Sequence, residues 1–205
     1  METIYKMSLP LREIREVDDE AKTILESTKK QLGILPNMYA YMANSTGLLS
    51  TYKHGYDHFR KNSGFTKTEQ EVVFLTISYE NECMYCVAAH SFVADMMSKV
   101  PLDVTDAIRN GEIIKDHKLR VLSEFTAIMV NKRGKPEQED VERFLEAGYT
   151  EKQVLEIILA ISVKTISNYT NHVFHTPVDL MMQSREWLGY SVARKVVRFF
   201  GGDKR

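Results

Sequence analysis

An all-α fold is what this chain predicts, and three observations carry the prediction. Apolar residues recur at the spacing of a helix with one buried face through most of the 205 residues, as in Ala21, Ile24, Leu25 and Leu32. Two pairs, Thr66 with Glu69 and Thr150 with Gln153, carry the capping-box signature that opens a helix. The ten glycines and five prolines are few, and Gly33, Pro36 and Pro101 stand where the helical period breaks. With 43% hydrophobic and 27% charged residues the chain is too apolar for disorder and long enough to bury a core, and it reads as one helical domain over 1–205.

The elements follow in order. After an entry strand or loop, Asp18 or Asp19 caps a helix that Gly33 closes, and Pro36 opens the next. Residues 37–61 hold Met38, Tyr41, Met42, Leu48, Leu49, Tyr52, Tyr56 and Phe59, two helices with Ser45 capping the second. The Thr66 box starts a helix that runs to the polar break YENE at 79–82. Another begins at about Cys83 and ends before Pro101, which cannot continue a helix. Helices over about 102–110 and 116–131 come next, then a turn in KRGKPEQED at 132–140 with Pro136 at the first position of a further helix. Thr150 opens the apolar stretch VLEIILAISV, and a mildly basic amphipathic segment, ending ARKVVRFFGGDKR, closes the chain as a solvated helix with a frayed tail.

Charge and hydropathy exclude several classes of function. The 27 basic and 28 acidic side chains sum to −1, too weak a field to hold nucleic acid or an anionic membrane. No stretch approaches the roughly 18 apolar residues of a membrane span, and the start METIYKMSLPLREIREVDDE has no basic-then-apolar signal pattern, so a cytoplasmic location is expected.

Sliding the chain against itself by 84 positions reveals an internal repeat. TKTEQEVVFLTISYENECMYC at 66–86 lies over TEKQVLEIILAISVKTISNYT at 150–170, so that Thr66, Glu69, Ile77, Ser78 and Tyr85 meet Thr150, Gln153, Ile161, Ser162 and Tyr169. The register predicts a helical hairpin at 66–98 and a degenerate copy at 150–176. In that copy Cys83, Cys86, Glu71 and His90 face Ser167, Thr170, Leu155 and Phe174, so the first hairpin is expected to be reactive and the second structural.

Chemistry concentrates in ECMYCVAAH at 82–90, which holds the two cysteines of the chain. At about 100° per residue, Cys86 lies about 60° from Cys83 and His90 about 40° from Cys86, one stripe of a helix. Tyr85 points elsewhere and belongs to packing or an interface. Positions three apart have Cβ atoms roughly 5–6 Å apart, against about 3.5–4.5 Å in a relaxed disulfide, so a Cys83–Cys86 bond needs the pliable first turn and is readily reduced. Free N–H groups at a helix start favour a thiolate, and His90 one turn on can take a proton. A free thiol of pKa about 8.5 is only about 3% ionised at pH 7, so the gain from lowering it is large. A helix rise of about 1.5 Å per residue brings Glu71 level with His90 across an antiparallel hairpin. Glu69 is used by its box, so Glu71 is expected to orient the imidazole and stabilise its protonated form.

Other chemistries fit less well. A zinc site would draw on Cys83, Cys86 and His90 and lacks a fourth ligand except the remote His172 or His175, so no metal is expected. Val87 follows the second cysteine where haem attachment requires His. A thioredoxin-type site needs a preceding strand, and the segment before Cys83 has helical period. Position nearer the helix start argues that Cys83 attacks a substrate, whereas proximity to His90 argues for Cys86.

Through Glu71, Cys83, Cys86 and His90 the chain resembles the AhpD-like alkylhydroperoxidases of the carboxymuconolactone decarboxylase superfamily, most closely over 66–98 and more loosely, with the peroxidase-related branch, as far as NYTNHVFHTPVD at 168–179. The resemblance implies an all-helical AhpD-like fold, a homo-oligomer such as a trimer or hexamer, and reduction of alkyl hydroperoxides by a dithiol without metal, flavin or other cofactor. It implies Cys86 as the attacking thiol, Cys83 as the resolving thiol, His90 as proton acceptor and Glu71 as its orienting group, with an external dithiol, such as a lipoylated protein, as reductant. Tyr85 stands where some members have a histidine between the cysteines. A redox sensor that turns over no peroxide, or a helical scaffold with inert thiols, is the alternative.

Overall fold

The computed structural model describes residues 4–186, and among them there is no β-strand. An extended entry segment, tied down by the Met7 amide donating to the Val173 carbonyl at 2.7 Å, leads through a single 3-10 turn into α1 (Asp19–Leu32). Of the two acids expected to cap it, Asp18 does so, accepting from the Ala21 amide, and Gly33 closes it in the left-handed conformation at φ 78°. α2 (Asn37–Met42) follows Pro36, and Ser45 caps α3 (Thr46–Asn62) through the Leu48 amide.

α4 (Lys67–Glu80) opens with the Thr66–Glu69 box and is buried on every side from Glu69 to Ser78. A helix buried on every side is the centre of a bundle, and α4 packs against α5 (Met84–Val93), α6 (Leu102–Asn110), α7 (His117–Asn131) and α9 (Glu151–Phe174). α5 unwinds into a π-helical turn, Ala94–Ser98, that Lys99 ends at φ 54°. α8 (Gln138–Glu146) is capped by Glu137, so Pro136 stands two positions before the first helical residue rather than at it; the Glu137–Asp140 box supplies the start that Pro136 was expected to make.

The second copy of the repeat departs from expectation. Its capping box, Thr150 with Gln153, is in place, but α9 runs unbroken for 24 residues where the first copy turns back as a hairpin. The reason lies at the break. Glu82 adopts φ 54°, a left-handed conformation, so that the chain reverses between α4 and α5. The equivalent position is Ile166, whose β-branched side chain is strongly disfavoured there, flanked by Thr165 and Ser167, which bond back along the helix to Ile161 and Lys164.

Two groups of buried side chains form the interior. The larger joins α4, α6, α7, α8 and the first half of α9 around Phe59, Phe74, Phe125 and Phe144. The smaller joins α1, α2 and the first half of α3 to Tyr85, Val163 and both cysteines, and Tyr56 and Leu159 border the two. The sulfurs therefore sit inside the fold. The basic segment at 193–205 lies outside the described residues. Among the described residues no helix is long and apolar enough to cross a membrane.

Candidate active site

The reactive stripe takes shape at the α4–α5 reversal. Cys83 is the residue before α5, and Cys86 and His90 lie on its buried face, 2% and 6% exposed. Glu71, fully buried on α4, accepts from His90 Nδ1 at 3.0 Å with Oε2, so the antiparallel levelling expected from helix lengths is realised. Its other oxygen accepts from Arg60 Nη1 at 2.5 Å and from Ser98 Oγ at 3.2 Å. Arg60 is itself sandwiched beside Tyr56 and Phe74, its guanidinium 5.0 and 4.7 Å from their ring centres. The π-helical turn thus has a local role: it ends at Ser98, which fixes the carboxylate.

α9 completes the site. Asn171 Nδ2 donates to Cys86 Sγ at 3.2 Å and reaches Cys83 Sγ at 3.9 Å, while Ser167 Oγ lies 4.0 Å from Cys86 Sγ. Lys164, 1% exposed, has its ammonium 5.8 Å from the centre of the Phe74 ring and forms no ion pair with a carboxylate among the described residues. The second copy of the repeat, expected to be structural, therefore carries polar groups of the site.

These surroundings set the ionisation. Burial opposes a charge on Cys86, but the Cys83 thiol donating to it, the nearby Lys164 and the Asn171 amide outweigh burial and hold Cys86 well below the ordinary thiol range. Cys83 moves the opposite way, pushed up first by its hydrogen bond to Cys86 and then by burial. Within the pair the charge is therefore favoured on Cys86 and the proton on Cys83. Burial also raises Glu71, yet Arg60 and His90 bring it down to about 2. Burial and then Lys164 depress His90 to about 4 against the pull of Glu71. The imidazole is consequently neutral at neutral pH. Glu71 accepts the Nδ1 proton and fixes the tautomer with Nε2 bare, instead of stabilising an imidazolium as the sequence suggested.

A cavity of about 590 Å³ reaches this centre, lined by Cys86, His90 and Lys164 and by apolar or aromatic groups including Met38, Tyr39, Tyr52, Phe92 and Met182. Cys83 is not part of its wall. Tyr85 lies along the same wall, and its hydroxyl donates to Asp179 Oδ2 at 2.5 Å, so its role is packing within the chain.

No family model matches the chain, and no curated protein does. Solved structures do. A peroxidase-related protein of Ralstonia eutropha JMP134, described as an alkylhydroperoxidase AhpD core, aligns with a TM-score of 0.76 at 20% identity over 89% of this chain and 96% of its own. A peroxidase-related protein of Silicibacter sp. TM1040 aligns with a TM-score of 0.71 at 21% identity over 87% and 94%. The chain has the AhpD-like fold. The debrominase Bmp8 shares it, with a TM-score of 0.67 at 16% identity over 81% of this chain and 89% of that one. At such identities the likeness establishes the fold, and the activities belong to those proteins.

Within the AhpD-like fold of this chain, Glu71 and His90 are hydrogen-bonded, Cys83 and Cys86 share the Asn171 amide, and Arg60, Ser98 and Lys164, which the sequence reading did not single out, approach the same cluster. Lys164 left a trace in the sequence: it is the one Lys, Arg, Asp or Glu in the run from Ile157 to Phe174. Among the described residues no cluster of three His, Cys, Asp or Glu side chains is arranged to hold a metal.

Proposed function

We propose that this protein is a thiol-dependent peroxidase that reduces organic hydroperoxides through the Cys83/Cys86 dithiol. One observation carries the reading: of the two sulfurs, the one whose ionised form is favoured is the one that lines the cavity. This favours Cys86 over Cys83 as the attacking residue, the question that helix position alone left open.

The steps balance. The Cys86 thiolate attacks the distal oxygen of ROOH; an S–O bond forms, the O–O bond breaks, and sulfur loses two electrons while the peroxide gains them. His90 Nε2 takes the hydroperoxide proton and passes it to the departing alkoxide, leaving ROH and a Cys86 sulfenate. The Cys83 thiol then attacks the sulfenate sulfur, its proton leaving with the displaced oxygen as hydroxide, to form the disulfide. An external dithiol, such as a lipoyl group on a partner protein, restores the reduced pair by exchange. Lys164 and Asn171 stabilise the thiolate, Glu71 holds His90, and Arg60 and Ser98 hold Glu71. A homo-oligomeric cytoplasmic enzyme remains the expected setting.

The debrominase that shares the fold, also described in complex with 2,3,4-tribromopyrrole at a TM-score of 0.71, favours a second reading. A dithiol that gives two electrons to a peroxide can give them to a carbon–halogen bond, releasing halide and the reduced arene. Steady-state assays separate the readings. With excess dithiol, continuous consumption of tert-butyl hydroperoxide supports the peroxidase; one equivalent consumed and no more supports a sensor; bromide release from a brominated pyrrole without peroxide turnover supports the dehalogenase.

A further inference from the structure

The charge on the cavity wall is one-sided. Among the described residues Lys53, Arg60, Lys61, Lys67 and Lys164 line it, against a single carboxylate, Asp57. Lys53 pairs with Asp57, Arg60 with Glu71, and Lys164 faces the Cys86 thiolate. Lys61 and Lys67 are exposed where the cavity meets solvent, and neither forms an ion pair with a carboxylate among the described residues. The rest of the lining is mostly apolar or aromatic, with Leu32, Ile34, Met38, Tyr39, Tyr52 and Phe92, and carries the neutral polar groups Gln31, Gln70 and Ser98.

The distance from the basic rim to the sulfur follows from two helices. Tyr52, in the same buried group as Cys86 and on the same cavity wall, is nine residues before Lys61 on α3, a rise of about 13 Å. On the hairpin, Cys86 lies one turn beyond His90, and Lys67 about one turn to the other side of Glu71, about 12 Å in all. An extended chain gains roughly 1.2 Å per single bond, so the span corresponds to about ten bonds.

Resting on the peroxidase reading, we infer that the preferred substrates are hydroperoxides of long-chain carboxylic acids, with the carboxylate at Lys61 and Lys67 and the peroxide about ten bonds along at Cys86. The apolar wall takes the chain, the rim takes the charge, and the cavity volume suits a guest of that size.

The test compares kcat/KM for the hydroperoxide of linoleic acid and for its methyl ester, with tert-butyl hydroperoxide as a reference, and measures displacement of a fluorescent fatty acid by dodecanoate. The acid is expected to be favoured over the ester by about 3- to 10-fold at low ionic strength, the range of two exposed ion pairs, with the ratio falling towards one in high salt and in Lys61→Gln/Lys67→Gln. Because a ratio within one variant is read, partial misfolding does not mimic the effect. Equal rates for acid and ester, with tert-butyl hydroperoxide still turned over and no displacement by dodecanoate, overturn the inference and leave the peroxidase reading intact. Displacement by dodecanoate that weakens in the double variant, with no turnover of any peroxide, supports the carboxylate site and removes the peroxidase reading.

Discussion

Asn171 on α9 donates its side-chain amide to Cys86 at 3.2 Å across 85 residues of sequence, and reaches Cys83 at 3.9 Å. A donor shared between the two sulfurs favours whichever is ionised and holds both at the start of α5. Hydrogen bonds to charged groups are worth about 1.5–3 kcal/mol, and one pKa unit is about 1.4 kcal/mol. Asn171→Ala is therefore expected to raise the Cys86 pKa by about one unit, read from the pH dependence of alkylation in the reduced protein. An unmoved profile would mean that the amide is only packing.

Lys164 acts on two titrations at once, since a nearby cation favours a thiolate and disfavours an imidazolium. Lys164→Met, close in volume and neutral, is expected to raise both the Cys86 and the His90 pKa by about one unit or more. Thiolate absorbance reports the first and imidazole resonances the second. Lys164→Arg should keep both low, which separates charge from shape.

The AhpD-like architecture was legible because its local rules are strong: the boxes at Thr66 and Thr150, the caps at Asp18 and Ser45, and the breaks at Gly33 and Pro101 each fix an element without help from the rest of the chain. Glu71, Cys83, Cys86 and His90 were legible for the same reason, lying within 20 residues on one hairpin. Arg60, Lys164 and Asn171 approach from α3 and α9, and helix-to-helix crossings leave no periodic signal. The neutral state of His90 was hidden as well, because it depends on burial and on Lys164, neither of which the hairpin sequence contains.

Acid should weaken the fold in two stages. His90 is depressed to about 4 from 6.5 and Glu71 to about 2 from 4.5, so in each interval the unfolded chain binds more protons than the folded one. Both contributions are present above the unfolded values and are lost as pH falls, His90 between about 6.5 and 4 and Glu71 between about 4.5 and 2. Tm is expected to decline from pH 7 downwards. Glu71→Gln, which leaves Arg60 buried beside a neutral amide, is expected to cost about 3–5 kcal/mol at pH 7 and to flatten the lower part of the decline. A Tm independent of pH between 7 and 4 would contradict the placement of His90, and one independent of pH between 4.5 and 2 that of Glu71.

Gly55 sits where α3 crosses α9, and a Cβ there would stand 2.8 Å from Val163 Cγ2, next to Lys164. On an isolated helix Gly→Ala gains about 1 kcal/mol. Here Gly55→Ala is expected to destabilise by about 1–3 kcal/mol, because the helices must separate or Val163 must leave its rotamer. Denaturant unfolding gives the sign, and a higher midpoint would show that the crossing yields without cost.

The account stands on Cys86 being the ionised sulfur that meets the peroxide. Sulfenate trapping followed by mass spectrometry, after one equivalent of organic hydroperoxide at pH 6, tests it most directly. A trapped sulfenate at Cys86 in Cys83→Ser, and none at Cys83 in Cys86→Ser, is the predicted result. Trapping at Cys83 alone, or at neither sulfur, would contradict it.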